Sequence, residues 1–135
     1  MGADNHEEAL AGQLAKALSG QLGRAVSWRA VARTGTTMRR ARERLAPELK
    51  GVGADVVIVI MGVNDTIRLT SRRTFRQETR GLLAEIHLHV QCPVIVSAIP
   101  PVGQLPALPQ PLRSALGTHS RLLDRELRLV AMLFT

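Results

Sequence analysis

Val56-Val57-Ile58-Val59-Ile60-Met61-Gly62-Val63-Asn64-Asp65 decides the fold class of this 135-residue chain. Val56 to Met61 is a run of β-branched and apolar residues without alternation, which predicts a strand covered on both faces in a parallel sheet. Gly62 to Asp65 then breaks the strand with the residue types that a strand-to-helix turn prefers.

Downstream, the spacing of Phe75, Leu82, Leu83, Ile86 and Val90 predicts a long helix from Ser71 to about Val90. Pro93 to Ile99 repeats the buried-strand pattern, and a proline-punctuated loop from Pro100 to Pro111 leads to a helix from Leu112 to about Met132. Leu116, Leu123, Leu127 and Val130 form that helix's expected buried stripe. Upstream, Leu10, Leu14, Ala15, Leu18 and Leu22 predict an amphipathic helix over 7–22 that stops at Gly23. Ala25 to Ala32 alternates and predicts a short strand. A turn at Gly35 follows, with Thr36 or Thr37 capping a helix through Met38, Ala41 and Leu45 toward Pro47. Alternating helices and strands predict an α/β chain with a doubly wound parallel sheet, in which ligands collect at the carboxyl ends of the strands. Gly35, Gly62 to Asp65, and Pro100 to Gly103 all fall there.

Composition narrows the function classes. The chain is 45% hydrophobic and 21% charged, as expected for one globular domain with a real core. Its net charge of +7 comes mostly from sixteen arginines and raises nucleic acid as a partner. Only Trp28, Phe75 and Phe134 could stack on bases, and the arginines of 68–80 read as one solvated helix face, so a nucleic-acid-binding module ranks lowest. No apolar run is long enough for a membrane span, no export leader is visible, and lone Cys92 reads as an inert thiol, so a cytoplasmic location is expected. The four histidines lack ligand spacing, and no metal or other cofactor is expected.

Gly62-Val63-Asn64-Asp65 after a buried strand resembles the Gly-x-Asn-Asp block of SGNH (GDSL-type) hydrolases, esterases and lipases that cleave small-molecule esters by serine acyl transfer. The resemblance runs from Glu7 to about Val130 in element order. It implies a three-layer, flavodoxin-like parallel sheet. It also implies that Asn64 donates a hydrogen bond to the oxyanion of the acyl-transfer intermediate. A preorganised amide donor of this kind is worth about 2.7 to 4 kcal/mol of barrier. Gly35 matches the glycine whose backbone N–H joins the same oxyanion hole, and Gly62, Asp65 and Val102 are expected to border the substrate. The plain alternative for Asp65 is a helix N-cap.

The family's nucleophile lies in a Gly-Asp-Ser block and its general base in an Asp-x-x-His block. Neither block occurs in the 135 residues. The expectation is a hydrolase core lacking the first and last strands, inactive as given and marginally stable, unless the strand near Trp28 pairs with Val56 to Met61. Ser97 reads as a small residue in the sheet, and His119 as a helix-surface residue. A non-catalytic relative that binds a ligand or partner around Gly35, Asn64 and Val102 is the alternative.

Overall fold

The computed structural model describes residues 2–134, with side chains from residue 9 onward. The chain forms two compact units, residues 1–35 and 36–135.

In the first unit, α1 spans Gly2–Leu22. Gly23 ends it at φ +66°, its N–H donating to the Ser19 carbonyl over 2.9 Å, a left-handed stop that glycine adopts without a Cβ penalty. The alternating segment 25–32 is not a strand. A strand is defined by a bonded neighbour, and the ladder in the described residues joins only the two strands of the second unit. Trp28 instead turns back on α1, where a Cβ on Gly12 would lie 3.6 Å from its ring. The turn at Gly35 is present, at φ +73°.

The second unit carries the sheet. β1 (Val57–Val59) and β2 (Val94–Val96) pair in parallel with Val57 opposite Val94 and Val59 opposite Val96. Both strands are shorter than the apolar runs that encode them. Alternate side chains point to opposite faces of a sheet. Val57, Val59, Met61, Val94 and Val96 enter the core, whereas Ile60 and Ile95 remain more than half exposed at 53% and 55%. The unbroken apolar run therefore does not mean cover on both faces: helices bury one face of this pair.

Those helices are α4 (Arg72–Val90) and α5 (Leu112–Ala131). Ser71 caps α4 by accepting from the Thr74 N–H at 3.1 Å, and Phe75, Leu82, Leu83 and Ile86 are buried as their spacing requires. α5 buries Leu116, Leu123, Leu127 and Val130. Each such side chain contributes roughly 1.5–3 kcal/mol of transfer free energy. Thr37 caps α2 (Met38–Arg40), which widens into a π-turn over Ala41–Leu45 and tightens into a 3₁₀ turn over Ala46–Leu49. Pro47 has no N–H to give, so the regular ladder cannot continue through it. Arg42 fixes this segment to α4 by bonding Glu85 at 2.9 Å and Glu78 at 3.4 Å across Gly81.

The turn after β2, Val102–Gln104, presses against α5 through two glycines: a Cβ on Gly117 would lie 2.7 Å from the Gly103 Cα. The obstacle is backbone and cannot rotate away. Gly117→Ala is therefore expected to destabilise by about 1–3 kcal/mol despite alanine's better helix propensity, read as a lower denaturant midpoint at unchanged slope. Among the described residues no helix is long and apolar enough to cross a membrane.

Candidate functional site

The chain leaves β1 through Gly62, whose φ of +118° turns it abruptly into α3, a five-residue helix over Val63–Ile67. Glycine is required there twice over. The dihedral is one that L side chains rarely adopt, and a Cβ would lie 2.5 Å from the Ile99 Cγ1. The N-cap of α3 is Gly62, not Asp65, and Asp65 sits inside the first turn.

Asp65 is buried, 1% exposed, and its Oδ2 accepts the Met38 N–H at 2.9 Å. Its carboxylate thereby satisfies one of the orphan donors at the start of α2. Thr70 donates its N–H to the Asp65 carbonyl at 2.9 Å. Burial raises the Asp65 pKa above the ordinary carboxylate value, opposed by the bond from Met38. Asp65 orders the turn by tying α3 to α2.

Asn64 is half-buried, and its Nδ2 donates to the Thr36 carbonyl at 3.2 Å. An amide nitrogen carries two N–H groups, so this bond fixes the carboxamide plane while engaging one of them. Thr36 directly follows Gly35 in the chain.

α5 braces the same turn at two points. Asp124 Oδ1 accepts the Ile99 N–H at 2.8 Å, holding the exit of β2 against Gly62, and its Oδ2 pairs with Arg128 at 2.7 Å. His119 is half-buried and its Nε2 lies 2.8 Å from the Thr70 carbonyl, so it is a bridge between elements and not a plain surface residue. The bridge depends on Thr70, whose role nothing in the sequence signals.

Gly62, Asp65 and Val102 are all buried, Val102 to 1% exposure. Gly62 and Asp65 shape the turn from within, whereas Val102 opens the turn that packs on α5. Ser97 lies beside the ladder, its N–H donating to the Val59 carbonyl at 2.9 Å, and lines a small cavity with Asp124 and Arg128. A wider groove at the far end of β2, lined by His87, Leu88, Gln91, Cys92, Pro93, Val94 and Phe134, includes none of the turn residues. Its chemistry is separate from theirs. Among the described residues no three His, Cys, Asp or Glu side chains group to hold a metal.

No curated protein and no solved structure matches the chain. A family model described as the GDSL-like Lipase/Acylhydrolase family matches residues 1–132. Parallel strands joined through helices agree with the α/β fold which that family implies. With nearly its whole length matched, the chain belongs to the GDSL-like lipase/acylhydrolase family.

Proposed function

We propose that these residues form the oxyanion-binding core of an acyl-ester hydrolase acting on small esters, and that the carboxamide of Asn64 donates to the negative oxygen formed when a serine attacks the ester carbonyl. The observation that carries this reading is the Asn64 carboxamide held by the Thr36 carbonyl on a turn locked by Asp65. Donors fixed before the reaction need no reorganisation as charge develops, which is why such sites lower the barrier. Gly62, Asp65 and Val102 hold the walls of the site from behind.

On this reading the nucleophile and general base belong to Gly-Asp-Ser and Asp-x-x-His segments that the 135 residues do not contain, and these residues alone bind an oxyanion without turnover. The three-layer, flavodoxin-like sheet of the complete family fold is part of the same proposal. Butylphosphonate, a tetrahedral anion, is expected to shift the Asn64 side-chain amide resonances saturably, and Asn64→Ala to weaken binding by about a hundredfold, in line with the loss of one such donor. Binding unchanged in Asn64→Ala, or covalent labelling of Ser97 by a fluorophosphonate, sinks the assignment.

A further inference from the structure

A helix of five residues has too few internal bonds to hold itself, so the orientation of α3 is imposed from outside. Met38 and Ile99 supply two of the external contacts. The third comes from α5: His119 Nε2 at 2.8 Å from the Thr70 carbonyl. A carbonyl only accepts, so Nε2 carries the hydrogen and donates it. Thr70 is in turn held to Asp65 by its N–H, and Asp65 to the Met38 N–H. Leu69, just before Thr70, sits at φ +54°, a left-handed conformation uncommon for leucine. It persists where bonds on both sides fix the chain.

We propose that His119 is a positioning residue for the Asn64 carboxamide, acting through Thr70 and Asp65; its relevance to an ester oxyanion rests on the function proposed above. His119 bonds neither the ligand position nor Asn64 itself. It holds Thr70 by its carbonyl while Asp65 holds it by its N–H, so the turn carrying Asn64 keeps one orientation, which a donor needs before it can stabilise developing charge.

The test replaces His119 with Leu, which removes the donor, and with Gln, whose side-chain amide can donate from a similar reach. Native-state hydrogen exchange is read at two amides, Met38, bound to Asp65, and Ser97, bound to the Val59 carbonyl in the ladder. In His119→Leu the Met38 amide is expected to exchange about tenfold faster while Ser97 stays within about twofold, as for local opening. The Asn64 side-chain resonances shift or broaden in parallel. His119→Gln restores both signals. Equal acceleration at Met38 and Ser97 reduces His119 to a general stabiliser and overturns the proposal, as does an unmoved Met38. A His119→Leu chain that fails to fold leaves the Gln variant decisive: Asn64 resonances unlike wild type, with Ser97 protected, overturn the proposed donor role. Butylphosphonate titration separates the two readings. Failure to bind the wild-type chain removes the oxyanion role, whereas the exchange data judge the positioning role alone.

Discussion

Gly62→Ala is expected to lower stability by about 4 kcal/mol, and two independent costs combine to give that figure. The first is conformational: holding a non-glycine residue in a sparsely populated backbone region costs about 1–3 kcal/mol, and Gly62 sits at φ +118°. The second is steric. The new Cβ would lie 2.5 Å from the Ile99 Cγ1 and 2.6 Å from its Cδ1, well inside contact distance. Ile99 has little room to yield, being 6% exposed in the core with its N–H held by Asp124, so overpacking adds about 1–3 kcal/mol. Thermal or denaturant unfolding measures the sum. A double-mutant cycle with Ile99→Ala separates the parts, since truncating Ile99 relieves the clash and leaves the dihedral cost. Additive effects in that cycle would mean that the contact with Ile99 contributes nothing. The same substitution tilts α3, so the Asn64 side-chain resonances should move as well.

Legibility followed the distance over which each signal acts. The boundaries of α4 and α5 are written locally: Ser71 caps one, and an apolar stripe at helical spacing marks both. The two strands were legible from β-branched runs. Their pairing faces were not, because which side a helix covers is decided by the rest of the chain; Ile60 and Ile95 look like core in sequence and lie open. Alternation over 25–32 predicts a strand only if a neighbour exists to bond it, and alternation carries no information about neighbours. At the site, the glycine-rich texture of Gly62 to Asp65 was readable, yet the bonds from Thr36, Met38 and Ile99 span 25 or more residues and leave no local trace. For Glu126 the sequence does carry a signal. It lies three residues after Leu123 and four before Val130, within the apolar stripe of α5, where an acid must have a partner. Arg72 and Arg76, read as part of a solvated face, supply it.

Removing both of those arginines is expected to cost more than removing the acid they serve. Glu126 has a fully buried side chain on α5, and it accepts from Arg72 at 2.6 and 3.0 Å and from Arg76 at 2.6 Å. The two guanidinium groups come from adjacent turns of α4 and keep about half of their surface in water. Arg72→Ala with Arg76→Ala leaves a buried carboxylate without compensation, which costs about 3–5 kcal/mol. Glu126→Gln releases two cations that water can solvate and retains one acceptor oxygen, so its cost is about 2–3 kcal/mol, the scale of a charge-assisted bond. The reverse order would mean that the arginines matter through their packed stems and not their charge. Acid titration gives a second readout. Hydrogen bonding from Arg76, with Arg72 also contributing, lowers the Glu126 pKa from 4.5 to about 2. A carboxylate whose pKa falls on folding stabilises the native state fully above its unfolded value. That stabilisation disappears as pH drops from 4.5 toward 2. Asp65 acts with the opposite sign, because its burial-raised pKa makes protonation favour the folded state. The acid limb of wild-type stability should therefore be steep over the Glu126 range and visibly flatter in Glu126→Gln, whereas an identical slope in the two proteins would show that Glu126 takes up its proton without loss of the α4–α5 contact.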